Sequence, residues 1–235
     1  MISKCIKEYA EVLISMFIST LRHRRNNKLI ILGVIRIRLI ERGENMLILG
    51  SNGFSYTQIR QKIGEHIPDR SGNMLIIPLA SMFEKETGQN EKDNAALLDF
   101  KEENIFVFDE VEPEEYLKRK YDYIVVLGGN TFKLLHGVRK YKLDRFIKQQ
   151  VADGAIYIGF SAGAYLACRN VEYVKNFDDN NHITDGDFTA LGLTDEYVLC
   201  HFDYRGIEEI KMCRLFLGDE TKMITINEDQ LIVLQ

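Results

Sequence analysis

The sequence predicts an α/β domain built on a doubly wound, mostly parallel sheet. Three observations lead there. From Met46 onward, short apolar runs alternate with amphipathic stretches. The runs are apolar throughout rather than alternating, as expected of strands covered on both faces. Turns rich in glycine and polar residues follow several of the runs, and in such sheets the working groups gather at the carboxyl ends of the strands.

The elements follow in order. Met46–Leu49 leads the series, in the run Met46-Leu47-Ile48-Leu49-Gly50-Ser51-Asn52-Gly53, of the kind that opens a doubly wound domain. Further strands are expected at Met74–Ile77, Ile105–Phe108, Tyr123–Leu127, Ala155–Ile158, Tyr197–Cys200, Met223–Ile226 and Leu231–Leu234. Helices are expected between them, at Tyr56–His66, Lys92–Asp99, Glu114–Arg119, Phe132–Val138, Leu143–Asp153, Ala162–Cys168 and Ile207–Phe216. With 235 residues the chain is long enough for one such domain and its core.

Composition narrows the function classes. A net charge of −5 gives no reason to expect nucleic acid or an anionic membrane as partner. Cys5, Cys168, Cys200 and Cys213 form no CxxC pair. They read as reduced, mostly buried thiols of a cytoplasmic protein, not as a disulfide frame or zinc site.

Residues 1–45 differ from the rest. They carry nine Lys/Arg against four Glu, and two apolar bursts at 12–18 and 29–35. Neither burst reaches the roughly 18–20 residues of a membrane span, and no signal-peptide cleavage site is evident. Arg42-Gly43-Glu44-Asn45 could be the translation of a purine-rich ribosome-binding stretch. The expectation is a natural start at Met46, with residues 1–45 as translated upstream sequence. The alternative is a genuine peripheral extension ahead of a 46–235 catalytic domain.

The chemistry concentrates at Gly159-Phe160-Ser161-Ala162-Gly163, between the apolar run Ala155–Ile158 and the expected helix Ala162–Cys168. Strand, tight turn with small residues about a serine, then helix is the arrangement of a nucleophile elbow. A bare GxSxG is a weak signal; the flanking elements strengthen it, with an ordinary strand-to-helix turn as the alternative. A second turn, Gly128-Gly129-Asn130-Thr131, follows the Tyr123–Leu127 run. It lacks the Lys-Ser/Thr of a P-loop and does not match GxGxxG. Paired with the elbow it reads as the other wall of an oxyanion hole, with the Gly129 and Ala162 amides as donors. A phosphate-binding turn or a plain connection is the alternative.

A serine nucleophile needs a base. Of the five histidines, His23 lies in the N-terminal stretch, His66 ends a helix, His136 lies within one, and His182 sits in a polar loop. His201 directly follows the apolar strand Tyr197–Cys200, on the same rim as Ser161; a strand-end histidine bonded to a carbonyl is the alternative. Glu228, after Met223–Asn227, is best placed to orient it, with Asp229 as fallback and Asp178 or Asp179 as outside candidates. The chain order Ser…His…Glu argues against an α/β-hydrolase, in which the histidine comes last.

These residues resemble the peptidase E family, serine peptidases typified by aspartyl dipeptidase and including cyanophycinase. The likeness runs from about Met46 to the C-terminus and is most specific at residues 123–135 and 154–164. It implies a class I glutamine-amidotransferase-like, flavodoxin-like three-layer fold, with serine at the elbow in place of cysteine. It also implies hydrolysis of short peptides with no metal or other cofactor. By the same resemblance Ser161 is the nucleophile, His201 the base, Glu228 the orienting acid, and Gly129 with Ala162 the oxyanion donors. Asn130 and Arg205 are the substrate-binding candidates. Aspartyl-specific members carry a recognition arginine on a longer loop than Phe202–Gly206; Arg205 is a counterpart, or else an ordinary surface arginine. Family members usually continue past the last strand, and none has a counterpart of residues 1–45. The expected partner is a small peptide, with a homodimer left open. An amidase or esterase on the same fold, or a silent ligand-binding member, stands as the alternative.

Overall fold

A computed structural model describes residues 46–67 and 69–235. Residues 1–45, on which the expected start at Met46 bears, lie with Cys5 and His23 outside the described residues. The elements are β1 (Leu47–Gly50), α1 (Thr57–His66), β2 (Met74–Ile77), α2 (Glu84–Ala96), β3 (Ile105–Val107), α3 (Pro113–Leu117), β4 (Tyr123–Val126), α4 (Thr131–Lys140), α5 (Leu143–Ala152), β5 (Ile156–Phe160), α6 (Ala162–Ala167), β6 (Tyr197–Cys200), α7 (Ile207–Leu217), β7 (Met223–Ile226) and β8 (Leu231–Leu234).

Six strands form one sheet in the order β3-β2-β4-β5-β1-β8. All neighbours are parallel except β1 and β8, which run antiparallel with Leu47 opposite Leu234. Successive side chains of a strand point to opposite faces, so each strand feeds two cores. Leu47, Leu49, Leu75, Ile77, Ile124 and Val126 face one, with Phe132, Leu135, Ile147 and Val151 of α4 and α5. Ile48, Met74, Ile76, Tyr123 and Val125 face the other, with Ile59 and Ile63 of α1 and Ala95 of α2. The result is a three-layer α/β domain with a mostly parallel sheet, as the sequence predicts. Among the described residues no helix is long and apolar enough to cross a membrane.

Two features differ from expectation. The helix expected at Lys92–Asp99 begins eight residues earlier, at Glu84. Its inward face is made of Gly88, Glu91 and Ala95 instead of large apolar residues, so it shows no apolar stripe to read. β6 and β7 also stand apart as a parallel two-stranded sheet, Tyr197 opposite Met223. β8 folds back onto the free edge of β1, so that position in the large sheet is already taken.

Candidate active site

β5 runs through Gly159-Phe160 and stops at Ser161, where α6 begins at once. Ser161 has φ 50° and ψ −109°, a conformation L-residues rarely adopt. Its own amide donates to the Gly50 carbonyl at 2.8 Å, and its carbonyl accepts from Ala164 and Tyr165 at 2.9 and 3.0 Å. The close approach of α6 explains Gly163: a Cβ there would lie 2.1 Å from the Val126 carbonyl oxygen. The Tyr157 hydroxyl, wholly buried, donates to the Gly163 carbonyl at 2.6 Å and pins the helix start to the strand.

His201 follows β6 with φ 57°, so both ends of the key contact sit in left-handed backbone. Its Nε2 lies 3.0 Å from Ser161 Oγ. Its Nδ1 makes a short contact with Glu228 Oε1, and Glu228 comes from the turn between β7 and β8. The two side chains are 27% and 21% exposed, open enough for a substrate and sheltered enough to strengthen the pairing. Partial burial alone would raise the Glu228 carboxyl. Hydrogen bonds from His201 and Asn52, with the nearby His201 and Arg205, outweigh it and hold the group below its ordinary value. An ionised Glu228 only accepts, so Nδ1 carries the proton and Nε2 is left to accept from the serine hydroxyl.

Gly129 stands beside the elbow with φ 134°, and a Cβ on it would sit 2.4 Å from the Ala80 carbonyl oxygen. Its amide donates to no backbone carbonyl among the described residues. Ala162 opens α6, so its amide has no intrahelical acceptor. A Cβ on Gly128 would lie 3.0 Å from Ser161 Cβ, which measures how closely the two turns meet. A serine hydroxyl, an imidazole, a carboxylate and two unengaged amides thus meet at neighbouring turns, the set of groups that acyl transfer uses.

The other candidates are engaged with partners of their own. Asn130 is committed at both ends: Oδ1 caps α4 through the Phe132 and Lys133 amides, and Nδ2 donates to the Asp179 carbonyl. Asp178 Oδ2 accepts from the Thr131 amide, Asp179 Oδ1 from the Asn181 amide and the Asp229 carbonyl from Lys62, whereas the carboxylate that meets His201 Nδ1 is that of Glu228. The Arg205 guanidinium pairs with Glu209 at 3.1 Å, donates to the Cys200 carbonyl at 3.4 Å, and stacks 3.8 Å from the Phe177 ring centroid. His136 and His182 lie with their rings 6.4 Å apart on α4 and the 178–187 loop. Cys168, Cys200 and Cys213 are free and buried, and burial pushes the Cys200 thiol up to about 12.

Sequence reasoning missed Ser51 and Asn52. The Ser51 hydroxyl, 3% exposed, donates to the Ile226 carbonyl and accepts from the His201 amide, each at 2.9 Å. Asn52 Nδ2 donates to the Glu228 carbonyl at 2.9 Å and to Glu228 Oε2. The available signal was their place: a polar pair directly past the carboxyl end of β1.

Comparison with known proteins places the chain among peptidases. The chain is 35% identical over 141 residues to the uncharacterized peptidase Lmo0363 of Listeria monocytogenes, covering 58% of this chain and 69% of that protein. Two other curated relatives are matched over shorter stretches. The chain spans 52% of the uncharacterized peptidase Lin0382 of Listeria innocua at 34% identity, and 41% of peptidase E of Shewanella amazonensis at 36%. A crystal structure of a candidate peptidase E protein from Listeria monocytogenes superposes with a TM-score of 0.62 at 26% identity, over 81% of this chain and 94% of that one. A peptidase from an acI-B1 actinobacterium shares the fold, with a TM-score of 0.62 at 19% identity. Residues 46–235 match the profile of peptidase family S51. The chain therefore belongs to peptidase family S51 and is a serine-type peptidase.

Proposed function

We propose that the protein hydrolyses short peptides, dipeptides foremost, through a Ser161–His201–Glu228 triad. The observation that carries this reading is the 3.0 Å approach of His201 Nε2 to Ser161 Oγ, with Glu228 on the far side of the imidazole. In the first step Ser161 Oγ attacks the scissile carbonyl and its proton passes to His201 Nε2. The Gly129 and Ala162 amides receive the developing oxyanion. His201 then protonates the leaving amine, the C–N bond breaks, and an acyl-enzyme remains. Water, deprotonated by His201, hydrolyses the ester and restores the serine. Glu228 stays ionised throughout and stabilises the imidazolium.

Specificity for an acidic residue ahead of the scissile bond is the finer part of the proposal. Arg205 would fork onto that carboxylate, exchanging its present partner Glu209 for the substrate. The test is hydrolysis of Asp-Leu against Ala-Leu by the full chain, with Ser161→Ala as control. Cleavage of Asp-Leu alone, abolished by Ser161→Ala, supports both parts. Equal cleavage of the two removes the acidic preference, and wild-type turnover by Ser161→Ala removes the peptidase mechanism.

A further inference from the structure

The candidate triad is divided between two sheets. Ser161 ends β5 of the six-stranded sheet, whereas His201 and Glu228 follow β6 and β7 of the separate pair. Among the described residues no strand ladder joins the two sheets, so the ladders do not set how far the imidazole stands from the serine. Three consecutive residues after the body of β1 bridge the gap. The Gly50 carbonyl accepts from the Ser161 amide at 2.8 Å. The Ser51 hydroxyl accepts from the His201 amide and donates to Ile226, the residue that ends β7. Asn52 Nδ2 holds Glu228 by both its backbone carbonyl and Oε2. Each of the three residues thus grips one member of the triad, in chain order.

We infer that Gly50-Ser51-Asn52 is the positioning element of this site, setting the register between the nucleophile and the base–acid pair. The geometry stands by itself; the consequence for turnover rests on the peptidase reading above. Asn52 does more than fill space. Its two amide hydrogens leave the Glu228 carboxylate one free oxygen, Oε1, and aim that oxygen at His201 Nδ1. The segment is braced from behind, since the Phe54 amide donates at 2.8 Å to the buried carboxylate of Glu91. β1 is the central sheet's link to both β5 and β8, so the clamp is mounted on a rigid element, as a positioning device requires.

Asn52→Leu is the decisive variant, because it nearly keeps the shape and removes the donor without setting a second carboxylate against Glu228. With the full chain and Asp-Leu as substrate, kcat should fall roughly ten- to a hundred-fold, as the loss of a hydrogen bond to a charged group does, with KM within about two-fold. Ser51→Ala should do the same by a different route, freeing the His201 amide. A second readout does not depend on turnover. The downfield imidazole N–H proton of His201, assigned by its absence in His201→Gln, should shift upfield or broaden in Asn52→Leu. An unchanged resonance, or an unchanged kcat in an enzyme that Ser161→Ala inactivates, overturns the inference. If Ser161→Ala turns over at the wild-type rate, the peptidase reading falls, and the resonance alone decides whether Asn52 orients the pair.

Discussion

Glu228→Gln is the sharpest perturbation the site offers. Glutamine keeps the length and shape of the side chain but has one acceptor and one donor in place of two acceptors. The Asn52 amide demands an acceptor at the position of Oε2. The glutamine must therefore turn its oxygen to Asn52 and its amide to His201 Nδ1. That forces Nδ1 to accept, moves the imidazole proton to Nε2, and leaves Nε2 facing Ser161 Oγ at 3.0 Å with nothing to accept its proton. The comparable exchange in the Ser-His-Asp template lowers kcat by about 10⁴ through the same wrong tautomer. Four decades at about 1.36 kcal/mol each amount to about 5.4 kcal/mol of lost transition-state stabilisation. Steady-state hydrolysis of Asp-Leu, with thermal melts to confirm folding, measures the loss. The structure adds a stricter requirement: in an Asn52→Ala background the amide can rotate, so the same exchange should cost at least a decade less. A loss under ten-fold, or an equal loss in both backgrounds, refutes the tautomer argument.

Three further expectations follow from single contacts. Gly163→Ala sets a Cβ 2.1 Å from the Val126 carbonyl oxygen, a backbone atom that cannot step aside; overpacking of this kind costs about 1–3 kcal/mol or more, so the melting temperature should drop by several degrees and activity with it. Tyr157→Phe removes the 2.6 Å bond to the Gly163 carbonyl and should cost about 0.5–1.5 kcal/mol in urea unfolding, with a larger proportional loss in kcat than in KM. Glu91 titrates in the opposite sense to Glu228. Burial holds its carboxyl above the ordinary value against the amide bonds from Phe54 and Ser55, so the folded state binds its proton more tightly than the unfolded chain does. That contribution is full at low pH and lost as pH rises through the raised value. Glu91→Gln, which cannot ionise, should therefore gain stability relative to wild type as pH rises from the ordinary carboxylate range through the raised value; a gain that shrinks over that rise contradicts the assignment.

What the sequence reveals and conceals has a physical pattern. The central strands are legible because burial on both faces demands apolar residues at every position, as in Met74–Ile77 and Tyr123–Val126, and the half-buried β3, β7 and β8 are still apolar enough to read. The serine elbow is legible because its strained turn requires small neighbours at fixed offsets, and Gly163 has a backbone oxygen pressed against it. The start of α2 is not legible: Gly88 packs close to Val107 and Glu91 turns inward to serve an amide, so its buried face carries no apolar signature. The partition into two sheets is equally silent, since β6 and β8 have the same length and composition class, and only the return of β8 onto β1 decides which joins the large sheet.

That partition also explains why a triad drawn from rim residues was within reach while its support was not. A strand-end histidine or carboxylate announces its chemistry by residue type. Ser51 and Asn52 do not: polar pairs after a strand are what any turn requires. Their significance arises only once β6 and β7 separate from the main sheet, because then the distance from Ser161 to His201 is no longer fixed by a shared ladder. A positioning role of this sort is a property of two surfaces meeting, and one strand's sequence holds half of it. The same logic orders the consequences of substitution. Under the proposed triad, changes at Ser161, His201 or Glu228 would remove chemistry outright, whereas changes at Ser51 or Asn52 would leave every reacting group present but displaced, and the cost would then appear in kcat with substrate binding retained.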